Sequence, residues 1–226
     1  MIQLYITAPI KHLDLVQDFH HHMVIGPFLD RSTREWFRAK SREGDLIMLD
    51  NGCFENKVPM DTNTFLKLVR ELQAKIVVMP DFWKSAKQTL KASHQFNDQL
   101  DRVSIHSFKR MGVPHGETLD EYIDAYQQLS EISDIIGLTV GEWNDEHGWF
   151  RAFMGKYALD LGCTFHLLGL WNVGELKRCL KVPRIVSIDT SIPFKLAAKN
   201  EVLKPDSFCK DDFDFEMKLT QKQQNL

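Results

Sequence analysis

Closely spaced cysteines are missing from this chain. Its four, Cys53, Cys163, Cys179 and Cys209, lie far apart and form no C-x-x-C pair. That argues against a disulfide framework or a structural zinc site of local spacing, and reads as reduced thiols in a cytoplasmic protein. Long apolar runs are missing too. None approaches the roughly 18 residues that a membrane span needs, and the opening "IQLYITAP" is strand-like rather than a signal peptide. Charge of one sign is also absent: 28 Lys and Arg stand against 31 Asp and Glu, a net charge of -3. Bulk attraction to nucleic acid is therefore not implied, and any such contact has to use a local basic patch. No G-x-G-x-x-G follows the first strand-like run, which counts against a dinucleotide-binding open sheet.

What is present is an alternation. Short runs rich in Ile, Val and Leu occur at 2–8, 46–50, 75–81, 102–108, 135–142, 164–170 and 184–189, without a polar residue at every second place. Strands buried on both faces look like this, and parallel sheets covered by helices contain them. Between them, "DTNTFLKLVRELQA" (61–74) repeats apolar residues at helical spacing behind a capping Asp61 or Thr62. "TLDEYIDAYQQLSEI" (118–132) does the same, and 144–162 and 174–180 read as further helices. Seven βα-like units in 226 residues, with no internal linker, predict one α/β domain. The expected architecture is a (β/α)8 TIM-like barrel with an irregular last unit, spanning 1–215 as one catalytic domain, with 216–226 a polar tail. A doubly wound open sheet is the alternative.

The segment 20–45 departs from the pattern. "HHH" at 20–22 suggests a metal site, but adjacent histidines on a helix point in different directions, which favours a solvated or packing role. "RSTREWFRAKSR" (31–42) sets Arg31, Arg34, Arg38 and Lys40 around Trp36 and Phe37. Rings among cations suit a nucleic-acid backbone and its bases. A solvated helix with one aromatic face accounts for the same composition.

Carboxylates end several of the strand-like runs. "LIMLD" ends in Asp50, "IVVMPD" in Asp81, "IIGLTVGE" in Glu142 and "RIVSID" in Asp189. In a parallel α/β fold the strand C-termini open on one face, where substrates bind. A single Asp there is as readily a helix cap; four together favour a site. Two such acids can divide nucleophile and acid/base roles at a glycosidic carbon, or hold Mg²⁺.

Six ordered segments carry a family resemblance. "LDNGCFE" resembles the D-S-G-G-F-Q signature of the tRNA-guanine transglycosylases, and "VVMPDF" their strand ending in a base-recognising Asp. "MGVPHG" followed by "TLDEYIDAYQQL" is similar to their V-Q-G segment and helix, and "GLTVGE" to G-L-A-V-G-E. "FHLLGLWNVGEL" resembles their H-Y-L-M-G run, and "SIDTSIPFK" their F-D-C-V-M-P-T-R around the nucleophile.

The resemblance implies base exchange. Asp189 aligns with the nucleophile that attacks C1′ and forms a covalent glycosyl-enzyme, and Asp50 with the acid/base. Asp81 aligns with the residue gripping the guanine-like edge, Gly141 with a backbone amide on the base carbonyl, Leu138 with backbone facing the 7-substituent, and Leu168 with an apolar residue stacked on the base. His115 stands where the family has a glutamine, beside Gly116; Asn51 replaces the Ser after the acid/base, and all three join the expected substrate contacts. Lys195 replaces an arginine after the nucleophile and joins the expected nucleic-acid contacts. No metal or other cofactor is implied.

The family's C-terminal zinc module is missing, so the chain looks like the short DNA branch found in phages and bacteria, which places 7-deazaguanine bases such as 7-cyano-7-deazaguanine into DNA. The implied partners are DNA, a free 7-deazaguanine base and an accessory protein, in the cytoplasm of a bacterial host and away from membranes. Extraction of the target base would fall to the 31–42 patch. A tRNA enzyme with a partner subunit, a nucleosidase or base-releasing hydrolase, a non-catalytic base-binding subunit and a metal-dependent aldolase-like barrel are the alternatives.

Overall fold

The computed structural model describes residues 2–103, 107–139, 149–157, 162–170, 176, 179 and 181–194. Eight strands follow one another around a closed barrel: β1 (Gln3–Ile6), β2 (His21–Ile25), β3 (Leu46–Asp50), β4 (Ile76–Val78), β5 (Lys109–Gly112), β6 (Ile135–Thr139), β7 (Thr164–Leu168) and β8 (Ile185–Thr190). All neighbours are parallel, and β8 returns to β1 with Ser187 opposite Gln3 and Asp189 opposite Tyr5. The helices are α1 (Arg31–Glu43), α2 (Cys53–Asn56), α3 (Thr62–Leu72), α4 (Ala86–Val103), α5 (Leu119–Ile132) and α6 (Trp149–Tyr157). This is a (β/α)8 barrel, and its closure rules out the open sheet. Among the described residues no helix is long and apolar enough to cross a membrane.

Local chemistry sets the boundaries. Asp30, Asp61 and Thr118 each accept a backbone N–H from the first turn of α1, α3 and α5. Gly44 ends α1 with φ at 103°, a left-handed conformation that costs glycine little. Side chains alternating along each strand then separate two cores. Outward residues such as Ile47, Leu49, Val77, Ile136 and Leu167 pack under the helices with Phe65, Leu72, Phe96 and Tyr126. Inward ones fill the lumen: Tyr5, Met23, Met48, Ile76, Val78, Met111, Val113 and Ile135.

Three elements differ from the sequence-based expectation. The segment around "HHH" is a strand, β2, so the barrel has eight units where seven were legible. His20 and His22 both bind Asp45, at 2.8 and 3.1 Å, while His21 lies against the Tyr5 ring. His22 is buried, and burial pulls its imidazole below the usual histidine range. The run expected as a strand over 102–108 begins as the end of α4, and the strand falls on the charged "KRMG" of β5. Helix α4 lacks a clear apolar period because half of its buried stripe is polar: Thr89, Ser93, Phe96 and Leu100. The irregular last unit and the 216–226 tail lie outside the described residues. Among the described residues the first unit is irregular, with only a 3-10 segment, Ile10–Val16, joining β1 to β2.

Candidate active site

Eight parallel strands put their C-terminal ends on one rim, and three of the expected carboxylates come together there. Asp50 is the last residue of β3, Asp81 follows β4 by three residues, and Asp189 is the penultimate residue of β8. Glu142, Gly141 and Lys195 lie outside the described residues.

Asp189 is oriented by three groups. The Thr7 hydroxyl, on the loop after β1, donates to Oδ2 at 3.1 Å. The Gly169 N–H, just past β7, donates to Oδ1 at 2.7 Å, and His166 Nε2 reaches the same oxygen at 3.2 Å. His166 Nδ1 lies 2.8 Å from the Ser187 hydroxyl. An imidazole with its proton on Nε2 satisfies both contacts, donating to Asp189 and accepting from Ser187. Serine sits deep and carboxylate at the rim, the reverse of a hydrolase triad. None of Thr7, His166 and Ser187 was singled out from the sequence. The signal was there: Ser187 precedes Asp189 by two residues and His166 precedes Leu168 by two, so each pair shares one face of its strand.

Asp50 is held differently. One backbone donor, Gly52 N–H, reaches Oδ1 at 2.6 Å. Gly52 itself has φ at 75°, and a Cβ there would lie 2.4 Å from the Pro27 ring. The glycine is thus required twice, for its backbone angle and for its contact. Although partly open to solvent, the Asp50 carboxyl is pushed well above the usual carboxylate range, first by burial and then by the nearby charges of Glu55, Asp81 and Asp189.

Asp81 is cradled. Asn51 Nδ2 donates to Oδ1 at 2.7 Å and His115 Nε2 lies 2.7 Å from Oδ2. The flanks of its loop are tied to α4: Thr89 Oγ1 bonds both N and O of Phe82, and Ser93 donates to the Pro80 carbonyl. One expected ligand contact therefore has another task. Asn51 is fully buried, gives its amide to Met79 O and Asp81, and accepts from Cys53 N–H, so it positions Asp81 rather than meeting a substrate. Gly116 packs on α5: a Cβ there would lie 2.5 Å from Tyr122 N. Cys53 is no thiolate, since burial raises its thiol to about 12.

The remaining wall is apolar. Leu168 leans over the lumen at the end of β7, where Gly137 leaves room for it; a Cβ on Gly137 would come within 2.8 Å of Leu168 Cδ1. Leu138 turns its side chain outward, and its carbonyl accepts from Arg151 Nη1 at 3.1 Å. On the far side a run of rings leads outward from His115: Trp83 at 5.4 Å, then Phe54 at 6.0 Å from Trp83, with Lys57 Nζ 4.9 Å above Phe54.

The 31–42 patch forms α1, and its parts do not converge. Phe37 is buried, and Trp36 packs edge-on against Phe37 and His22. Arg31 pairs with Glu35 and Arg34 with Glu71. Lys40 donates to Gln17 O and Glu43 and lies 3.9 Å from Asp45, at the barrel end opposite the rim. Arg38 is exposed. The aromatic residues serve the core, so the patch is a solvated helix face rather than a stacking platform.

Fold and site together define a (β/α)8 barrel with a carboxylate-lined mouth. No protein-family model matches the sequence, and no curated protein matches it. Solved structures do. A muconate cycloisomerase from Azorhizobium caulinodans is similar with a TM-score of 0.57 at 12% identity, over 85% of this chain and 55% of that one. The glycerol uptake operon antiterminator regulatory protein from Listeria monocytogenes gives 0.50 at 12%, over 84% and 91%. A structure from Aquifex aeolicus VF5 gives 0.58 at 11%, over 88% and 87%. The chain spans about half the length of the cycloisomerase. At such identities the likeness is one of fold, and function has to be argued from the site.

Proposed function

We propose that the protein is a base-exchange transglycosylase that replaces guanine in DNA with a 7-deazaguanine base through a covalent aspartyl intermediate. One observation carries the reading: two carboxylates at one mouth sit in unlike settings, Asp189 fixed by three groups and Asp50 held by the Gly52 N–H alone, its carboxyl pushed up by burial and neighbouring acids. That is the division a double displacement needs. An Asp189 oxygen bonds to C1′ as the C1′–N9 bond breaks, and guanine leaves with the electron pair and a proton from Asp50. The incoming base returns its N9 proton to Asp50 and bonds to C1′, and the Asp189 ester breaks. Asp81, cradled by Asn51 and His115, faces the guanine-like edge, and Leu168 supplies the apolar wall against the flat base. The strand carrying the target nucleotide rests on the rings and lysine of the rim, Phe54, Trp83 and Lys57, rather than on α1.

The test offers labelled guanine and labelled 7-cyano-7-deazaguanine with single-stranded DNA, duplex DNA and bulk tRNA in separate reactions. Label entering DNA supports the proposal. Label entering tRNA alone would move the activity to tRNA, and base release without incorporation would make the protein a hydrolase.

A further inference from the structure

We infer that Arg151 is a positioning residue for Asp189 and acts on it through a single peptide group, the one joining Leu168 to Gly169. The inference rests on the proposed function for the role of Asp189, but its geometry stands apart from that reading. Arg151 lies in the first turn of α6 and is 3% exposed. Its Nη1 shares two N–H bonds among three carbonyls at the rim: Leu138 at the end of β6 (3.1 Å), Leu168 at the end of β7 (2.9 Å) and Gly169 (2.8 Å). The Leu168 carbonyl and the Gly169 N–H belong to the same amide. That N–H makes the shortest of the contacts to Asp189, 2.7 Å to Oδ1. The chain of contacts therefore runs guanidinium, carbonyl oxygen, amide nitrogen, carboxylate.

Both ends of this amide meet a charged side chain, and hydrogen bonds to charged groups are the stronger kind. A cation on the carbonyl oxygen draws density from the amide and makes its N–H a better donor, the cooperative effect expected of linked hydrogen bonds in a dry interior. Gly169 has φ at 69°, a left-handed angle that a side chain would strain. The sequence thus keeps glycine at the residue whose N–H faces the nucleophile. A guanidinium this deeply buried needs acceptors, and the three carbonyls serve its Nη1.

A simple tie between β6 and β7 would explain the Leu138 and Leu168 contacts without any link to Asp189, and the test has to separate the two. The full-length protein is labelled with ¹⁵N-glycine, and the Gly169 amide is assigned among its 12 glycines. In the wild type the Gly169 proton resonates far downfield; Asp189→Asn and Arg151→Met each move it upfield, and Arg151→Lys restores part of the displacement. In exchange assays Arg151→Met lowers the single-turnover rate on the order of 10²-fold, the cost of a misplaced reacting group. A Gly169 signal unmoved in the folded arginine variants would overturn the inference. If Arg151→Met does not fold, Arg151→Lys decides alone, since it keeps the charge but not the three-way geometry. Absence of exchange in the wild type would sink the proposed function and leave the Gly169 result to decide the Arg151 link.

Discussion

Asp189, on the β7–β8–β1 side of the rim, and Asp50, at the end of β3, are two carboxylates held in opposite ways. Thr7, Gly169 and His166 converge on Asp189, and Ser187 and Arg151 stand behind them. Across the mouth, Asp50 has the Gly52 N–H and then a set of acids, while its neighbour Asp81 is held by Asn51 and His115. Donors fix an oxygen where a bond has to form, whereas burial among acids favours a held proton. The difference between the two carboxylates, more than the number of acids, is what makes the mouth a candidate for two-step glycosyl chemistry.

Removing either carboxylate breaks the comparison, and the two losses should differ in size. Asp189→Asn, which keeps the shape and removes the nucleophile, is expected to lower exchange about 10⁴-fold or more, with no glycosyl-enzyme trapped on a denaturing gel. A trapped adduct in that variant would place the nucleophile elsewhere. Asp50→Asn should cost about 10²–10⁴-fold, the usual scale for a positioned acid/base; activity within a few-fold of wild type would remove it from that role.

Smaller effects sharpen the contrast between rim and helix. Trp83→Ala should weaken single-stranded DNA binding by about 1–3 kcal/mol, the measured worth of one stacked base, while Arg34→Ala with Arg38→Ala changes it less. Filter binding in matched salt distinguishes the two, and the reverse order would return the nucleic acid to α1. The smallest effect lies in stability. The folded protein holds the Asp50 proton more tightly than the unfolded chain does, so this site's contribution is full below its unfolded value near 4 and is lost as pH rises through the raised folded value. Asp50→Asn removes that slope. Urea unfolding should find the variant gaining on the wild type as pH rises toward neutral, and parallel pH profiles would contradict the assigned environment.

The barrel was legible because its evidence is local and repeated. Ile-, Val- and Leu-rich runs such as 46–50 and 164–168 alternate with amphipathic helices such as Thr62–Leu72. Where burial depends on a distant partner the sequence misleads: β2 looks polar until Asp45 receives His20 and His22, and β5 opens on Lys109 and Arg110 because it enters the barrel from the solvent end. Helix α4 hid because Thr89 and Ser93 face inward to hold the Asp81 loop.

The sequence by itself determined that Asp50, Asp81 and Asp189 stand at or just beyond strand ends, and parallel strands oblige those ends to share a rim. It also determined that Gly52 follows Asp50, where a left-handed turn is needed. Only the tertiary structure decided what each carboxylate meets. Thr7 reaches Asp189 across 182 positions of chain, His115 reaches Asp81 across 34, and Arg151 reaches the Leu168 carbonyl across 17. Hydrogen bonds and charge act over a few ångströms of space, and closing the barrel, not order along the chain, sets those distances.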